Sequence, residues 1–299
     1  MTATILVAGA TGNLGGRIAR SLRERGANVR ALTRGGPRGE AIAKLEAEGV
    51  EIHVGDFADR ASLERACAGA ECVVSALQGL RDVIVDAQGA LFDAAVASGV
   101  SRFIPSDYSI DFNRTAPGTN RNLDFRREFR ARLVAAKIRG TSVLNGAFME
   151  LLVSRMPLLD FGAHAVRYWG DPDQRMDFTT TQDTAVFTAA AALDANAPAI
   201  LRIAGDSVSA RDLAAIAGEV TKTKFELVRL GAVDELAAHI AKERAQDPAS
   251  ESQPMPRWQA AQYMRDMFSG EAVLEPLDND RYPGMHWTRA RDLIAARPA

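Results

Sequence analysis

Hydrophobic and polar positions along the first half of the chain follow a repeated strand-then-helix pattern. Short apolar runs of strand character lie at 5–8, 29–33, 51–54, 72–75, 102–105 and 141–144. Amphipathic helical patterns lie between them, at about 14–25, 39–48, 60–67, 83–97 and 120–137. Strands that are separated by helices of about 10–15 residues are typical of βαβ units. The pattern therefore predicts an α/β fold of the Rossmann type, with a doubly wound parallel sheet.

The pattern changes after residue 144. Residues 146–181 mix apolar segments, aromatic residues and turn signals, and helical patterns then recur to the end of the chain. They lie at about 182–195, 209–219, 231–244 and 257–268. We expect this half to form a smaller, mixed α/β substrate lobe at the carboxyl ends of the strands, where open α/β sheets bind ligands. The predicted domains are 1–150 and 151–299, with 182–203 returning to the first.

The stretch 247–256 contains three prolines and two serines and is a loop by composition. Either a lid or an inert surface loop agrees with that composition.

The first strand ends in a turn with glycines at 9, 12 and 15, and a helical pattern follows at once. Gly9 permits a tight turn, Gly12 lets backbone N–H groups approach a diphosphate, and Gly15 lets the helix pack close to the strand. The helix N-terminus presents N–H groups and a positive dipole end to phosphates. A purely structural turn is the alternative. The predicted dinucleotide contacts in this turn are Gly9, Thr11, Gly12, Asn13, Leu14 and Gly15.

Thr33 and Arg34 end the second strand, about 20 residues beyond the glycine turn, where an acidic residue would hold the ribose 2′-hydroxyl of NAD. Because the guanidinium fork suits a 2′-phosphate and threonine adds a hydroxyl, NADP(H) is the predicted cofactor. A solvated loop charge is the alternative for Arg34. Arg38 and Lys44 either assist or are solvated charges.

Further cofactor contacts are expected where the third, fourth and fifth strands end. They are Asp56, Phe57, Ser75, Ala76, Leu77, Gln78, Pro105 and Ser106. For Asp56, capping the helix that begins near Arg60 is an equally good interpretation.

Composition and charge narrow the function further. The formal net charge of −2 over 299 residues gives no reason to expect nucleic acid or an anionic membrane as a partner. No apolar run approaches the ~20 residues of a spanning helix, and no targeting segment is recognised, so a cytoplasmic protein is expected. Cys67 and Cys72 lack CxxC spacing and the four histidines are scattered, so we predict core cysteines and no metal site.

Four segments together resemble the NmrA-like and isoflavone-reductase-like group of atypical short-chain dehydrogenases. They are GATGNLGGRI at 9–18, Arg34, GDFADRASLERACAGAECVVSAL at 55–77 and RFIPSDYSIDFNR at 102–114. The resemblance covers about the first 150 residues well, and the run at 169–185 matches more loosely. It implies a Rossmann-type domain, a small substrate lobe and NADPH. Members of the group include reductases of phenolic and lignan-type compounds, quinone reductases, and proteins that bind the cofactor without known turnover.

The resemblance also raises the question of the catalytic group. No tyrosine here has a lysine four positions later, which disfavours a conventional short-chain mechanism and a nucleotide-sugar epimerase. Isoflavone-reductase-like members use a lysine on the helix after the fifth strand, and alignment places Arg126 at or near that position. Arginine cannot readily exchange a proton, because its unperturbed pKa lies above about 12, but it can stabilise an oxyanion. Tyr108 is the predicted proton donor, or else a packing residue.

Aromatic and methionine side chains in the second half suit a flat apolar substrate, although a packed core explains them equally well. The predicted substrate contacts are Asp107, Phe148, Met149, Tyr168 and Trp169. Two functions remain open: an NADPH-dependent reductase of an aromatic small molecule (phenolic, lignan- or isoflavone-type, or a quinone), and a non-catalytic NADP(H)-sensing regulatory protein. A homodimer is our expectation, although no pattern in the sequence specifies the number of subunits.

Overall fold

The structure is a computed structural model that describes residues 2–35, 39–154 and 156–297. The chain folds into two compact units. The first unit comprises residues 1–107, 125–143 and 184–201, and the second comprises 108–124, 144–183 and 202–299.

The described residues form fourteen strands and ten α-helices. The strands are β1 Thr4–Ala8, β2 Asn28–Thr33, β3 Glu51–Val54, β4 Cys72–Ser75, β5 Arg102–Ile104, β6 Arg139–Gly140, β7 Ser142–Leu144, β8 Ala147–Phe148, β9 Leu159–Asp160, β10 Ala165–Trp169, β11 Met176–Thr179, β12 Ile200–Arg202, β13 Asp206–Val208 and β14 Glu226–Gly231. The α-helices are α1 Asn13–Glu24, α2 Glu40–Ala47, α3 Arg60–Cys67, α4 Gln88–Ala97, α5 Arg121–Ala135, α6 Thr181–Leu193, α7 Ala210–Thr221, α8 Val233–Gln246, α9 Arg257–Phe268 and α10 Ala290–Ala295. A π-helical turn covers Asp82–Ala87, and 3₁₀ turns cover Met149–Val153 and Pro248–Ser252.

The first unit is built on a six-stranded sheet in the order β3-β2-β1-β4-β5-β6. All five strand pairs in it are parallel. This order, with helices connecting the strands, is the doubly wound arrangement. The predicted Rossmann-type α/β fold is therefore confirmed.

The last predicted strand of this sheet, 141–144, is interrupted. The backbone N–H of Thr141 still donates to the Phe103 carbonyl at 3.0 Å, whereas that of Ser142 donates to the Ala199 carbonyl at 3.0 Å. The segment therefore changes partner at Thr141, and β7 pairs with β12 instead of β5.

Three aromatic rings lock α4, α5 and β5 together in the first unit. Phe92 lies edge-on to Phe103 and Phe129, with ring centroids 5.2 and 5.8 Å apart. All three side chains are almost completely buried. Such edge-to-face pairs add to the stability that burial provides, so the position of α5 on the sheet is well fixed.

Both cysteines are buried with free thiols, and Cys67 packs in the same apolar cluster as the three phenylalanines. Burial raises the pKa of each thiol to about 12, so both stay protonated and unreactive at neutral pH. The prediction that they are core residues is confirmed.

The second unit contains two three-stranded sheets, β14-β10-β9 and β13-β11-β8. The helical patterns predicted after residue 208 are confirmed as α7, α8 and α9. Ser209 caps α7 by accepting from the Asp212 N–H, and the Asp212 carboxylate accepts from the Ser209 N–H in return. This reciprocal capping box explains why α7 begins at Ala210.

The stretch 247–256 is held against its own unit by the Arg121 guanidinium. That group donates to the carbonyls of Glu251 and Gln253, each at 2.9 Å, and lies 4.6 Å from the ring centroid of Trp258. The Trp258 indole N–H donates to Ser250 Oγ at 2.9 Å. These bonds agree better with a fixed surface segment than with a lid.

Among residues 2–35, 39–154 and 156–297, none of the helices combines the length and apolar character that a bilayer crossing requires. The same residues contain no group of three or more His, Cys, Asp or Glu side chains that is arranged to hold a metal ion.

Candidate coenzyme site

The glycine turn after β1 is so tight that two of its glycines cannot carry a side chain. Gly9 has a φ of +82°, and a Cβ added there would lie 2.6 Å from the Ala76 carbonyl oxygen. A Cβ on Gly15 would collide with the carbonyl oxygen of Gly9. Gly9 therefore allows β1 and β4 to approach each other at their carboxyl ends, and Gly15 allows α1 to begin directly over the turn.

Gly12 has a different role, because a Cβ there would lie 3.3 Å from Gly9 O, tight but not impossible. It is the N-cap of α1, and no described side chain caps the helix there. Thr11, Gly12 and Asn13 are exposed, and Asn13 Oδ1 accepts from Arg17 Nε at 3.0 Å. The helix N-terminus has no side-chain cap, and the glycines beside it leave space that a side chain would occupy. Both features fit a dinucleotide diphosphate.

The end of β2 presents one buried and one exposed polar residue. Thr33 is buried, with Oγ1 3.5 Å from the His53 carbonyl oxygen. Arg34, the next residue, is exposed. Lys44 is also exposed, on α2, while Arg38 lies outside the described residues. An exposed guanidinium directly after β2 is available to a 2′-phosphate.

After β3, the chain forms a turn around Asp56. Its carboxylate accepts from the Ala58 N–H at 2.9 Å, while Asp59, not Asp56, caps α3 by accepting from the Ala61 N–H at 3.0 Å. The interpretation of Asp56 as the helix cap is therefore wrong, because the helix begins one turn later than that role needs. Phe57 is half-buried and packs against the core of the first unit.

The ends of β4 and β5 are joined directly by a serine hydroxyl. Ser106 Oγ donates to the Leu77 carbonyl at 2.7 Å, and the Ser106 backbone N–H donates to Gln88 Oε1 at 2.9 Å. Ser75 is fully buried, and its Oγ has no hydrogen-bond partner among the described residues. Gln88 lies inside an ordinary helical pattern and carries no local signal of a site, so its role was not predictable from the sequence.

Asp107 follows Ser106 and is completely buried. Its Oδ2 accepts from Ser142 Oγ at 2.7 Å, and that same hydroxyl oxygen accepts from Arg130 Nη1 at 3.0 Å. Burial raises the pKa of Asp107, while the hydrogen bond from Ser142 and the charges of Arg126 and Arg130 oppose the rise. The two arginines lie one helical turn apart on α5, so the predicted catalytic position belongs to a buried polar cluster.

This cluster predicts a pH dependence of stability. Because the folded protein binds the Asp107 proton more tightly than the unfolded chain does, the contribution of this group is most favourable below the ordinary Asp pKa of about 4. It is lost as the pH rises through the raised folded value. Relative to Asp107→Asn, which cannot titrate here, the wild type should lose stability with rising pH, by at most about 1.4 kcal/mol per pH unit.

Urea unfolding of both proteins from pH 4.5 to pH 7.5 measures this difference. Other buried carboxyls cancel, since both proteins contain them. Parallel stability curves for the two proteins would contradict the expectation.

The remaining predicted residues lie in the second unit. Tyr108, Met149 and Tyr168 are buried, while Phe148 and Trp169 are half-buried. Trp169 ends β10 at a bulge and pairs with Gly231, where a Cβ would lie 2.7 Å from Trp169 Cζ3. Their roles in catalysis or substrate binding stay predictions.

Comparison with known proteins identifies the family. The model of the NmrA-like family matches residues 1–270. The chain belongs to the NmrA-like family. The resemblance seen in the glycine turn and the RFIPSDY segment is thereby confirmed.

Several proteins that are similar to this chain are reductases by name. Pinoresinol reductase 1 from Arabidopsis thaliana is 29% identical over 252 residues, which is 78% of this chain and 79% of the relative. Among solved structures, AtPrR2 with NADP+ and (+)pinoresinol superposes with a TM-score of 0.82 at 22% identity, over 99% of this chain and 98% of the other. An isoflavone reductase superposes with a TM-score of 0.81 at 20% identity, over 98% and 99%. At these identities, the structures establish a shared fold.

Proposed function

We propose that this NmrA-like protein is an NADPH-dependent reductase of a phenolic or related aromatic small molecule. The observation that carries the proposal is the glycine cradle before an uncapped helix, followed by the exposed Arg34 after β2. A relative that is named as a pinoresinol reductase, and a similar fold that binds NADP+ together with pinoresinol, support the substrate class.

Each segment of the first unit has a proposed role in holding the coenzyme. The turn residues Gly9 to Gly15 and the α1 N-terminus bind the diphosphate, and Thr33 with Arg34 binds the 2′-phosphate. Asp56 and Phe57 contact the adenine ring. Residues 75–78 with Pro105 and Ser106 bind the ribose and nicotinamide. When bound, the reduced nicotinamide supplies a hydride.

Arg126 and Tyr108 have distinct proposed roles. Because a guanidinium stays charged at any working pH, Arg126 stabilises negative charge that develops on a substrate oxygen and does not exchange a proton. The Tyr108 hydroxyl donates the proton. Asp107, Phe148, Met149, Tyr168 and Trp169 are proposed to contact the substrate, and a homodimer, testable by light scattering, remains our expectation.

NADPH consumption on a panel of quinones, aromatic carbonyls and lignan-type benzylic ethers tests this function. We expect turnover of at least one class by the wild type, and Arg126→Lys tests the lineage on the ether substrates. Tight NADPH binding with no turnover on the whole panel would instead support an NADP(H)-sensing regulatory protein, which the arginine at the family's lysine position favours.

Arg34 should determine the choice of coenzyme. Replacing it by alanine removes charge-assisted bonds to the 2′-phosphate, so NADPH binding should weaken by about 1–3 kcal/mol while NADH binding changes little. Calorimetric titration of both coenzymes measures the two affinities. Lys137→Ala is a control, since this exposed lysine follows α5 and is not among the predicted coenzyme contacts. Equal losses for NADH and NADPH would show that Arg34 reads something other than the 2′-phosphate.

A further inference from the structure

The helix that precedes β5 begins with a π-helical turn, Asp82–Ala87. The backbone N–H of Gln88, which follows it, is shared between the carbonyls of Val83, five residues earlier, and Val85. In an α-helix it would donate to Ile84 instead. The Ile84 carbonyl therefore does not accept the Gln88 N–H, as it would in an α-helix.

The side chain of Gln88 bonds to the Ile84 carbonyl instead. Its Nε2 donates to Ile84 O at 3.0 Å, and its Oε1 accepts the backbone N–H of Ser106 at 2.9 Å. The side chain is completely buried, and both ends of its amide are bonded to protein groups. Because one end of the amide donates and the other accepts, its orientation is fixed by both partners.

Ser106 extends this chain of bonds to β4. Its Oγ donates to the Leu77 carbonyl at 2.7 Å, so a single path runs from Ile84 through Gln88 and Ser106 to Leu77. The π-helical turn also packs against the segment after β4, since a Cβ on Gly79 would collide with the Val83 side chain. These contacts thus hold the main chain at Leu77 and the main chain at Ser106 at a fixed distance from each other.

We propose that Gln88 is a positioning residue for the nicotinamide end of the coenzyme site. The inference rests on the proposed function, because Leu77 and Ser106 belong to the two segments that are proposed to hold the ribose and nicotinamide. A glutamine at this place sets their spacing. Buried polar networks in which every member is bonded give this kind of rigidity.

Two measurements on Gln88→Met, which keeps the side-chain volume and removes both hydrogen bonds, test the proposal. The first is hydrogen exchange in peptides that cover 102–109, measured without coenzyme. Exchange of the Ser106 amide should become about 10- to 100-fold faster, because its buried acceptor is lost. The second is NADPH affinity by calorimetry, which should fall by a similar factor.

Thr188→Val is the matched control. Thr188 is another fully buried polar residue of the first unit, and its Oγ1 has no hydrogen-bond partner among the described residues. This variant should leave both measurements within about twofold of the wild type, although it too makes a buried side chain apolar. Ser106→Ala, which breaks only the bond to Leu77, should weaken NADPH binding while the Ser106 amide stays protected by Gln88.

Unchanged protection of the Ser106 amide in Gln88→Met would overturn the proposal. So would lost protection with unchanged NADPH affinity, because the clamp would then not position the site. A wild type that binds no NADPH would overturn the proposed function and the positioning role with it. Failure of the proposed function can be distinguished from failure of the positioning role, because the hydrogen-exchange comparison of the wild type with Gln88→Met needs no coenzyme.

Discussion

Gly12→Val should abolish NADPH binding and leave the fold intact. Gly12 has a φ of −86° and a ψ of 171°, which valine adopts without strain, and its nearest neighbour to an added Cβ is Gly9 O at 3.3 Å. A branched side chain at the N-cap of α1 would occupy the place where we propose that the diphosphate binds. We expect at least a 100-fold loss of affinity, about 2.7 kcal/mol, by calorimetry.

Gly15→Ala should mainly destabilise the fold, whereas Gly12→Val should mainly weaken NADPH binding. Its Cβ would collide with the carbonyl oxygen of Gly9, so the turn itself must move. Overpacking of this kind costs about 1–3 kcal/mol in the free energy of unfolding, so its thermal midpoint should fall well below that of Gly12→Val. The pair separates a clash with the ligand from a clash within the protein. Gly12→Val protein that retains wild-type NADPH affinity would refute the diphosphate assignment.

The turn was predictable because everything that shapes it is local. Gly9, Gly12 and Gly15 lie within seven residues of one another, between a strand and a helix that both have clear apolar periodicity. A Cβ on each glycine would meet main chain of its own turn or of the segment directly after β4. For the same reason, strands β1 to β5 and helices α1 to α3 lie within about two residues of their predicted bounds.

The features that escaped prediction depend on partners far along the chain. The π-helical turn has only six residues, and over so short a segment apolar periodicity cannot distinguish it from an α-helix. The sequence therefore predicts a single helix over 83–97. Gln88 finds Ser106 eighteen residues later, and Asp107 finds Ser142 thirty-five residues later. A charged residue such as Asp107 reads as exposed unless its partners are known.

The strands of the second unit were missed for a different reason. β8 and β9 have two residues each, which is too short for an alternating pattern. β14 is longer, but Val228 and Leu230 on it are 37% and 46% exposed, so its apolar positions do not mark a buried face. Sheets made of such strands are specified by their neighbours in the folded unit, and not by local periodicity.

Arg102→Met should strongly destabilise the first unit. Arg102 opens β5 and is only 6% exposed, although arginine is rarely buried without partners. Its Nη1 donates to the carbonyls of Ala191 and Asp194, at 2.9 and 2.8 Å, and its Nη2 donates to that of Ala192. These carbonyls lie in the last turn of α6 and directly after it, where a helix leaves its last acceptors without backbone donors.

One buried guanidinium therefore donates to three carbonyls. Its positive charge also interacts favourably with the negative end of the α6 dipole. Methionine fills much of the same space but donates no hydrogen bond, so we expect a loss of about 2–4 kcal/mol in the free energy of unfolding. Arg139→Met is the matched control, because Arg139 also donates to a carbonyl beyond α6, that of Ala195 at 2.5 Å, but is exposed. Water replaces the lost donor there, and thermal midpoints should barely change. Equal losses in both variants would mean that burial of the cation is not what makes Arg102 important.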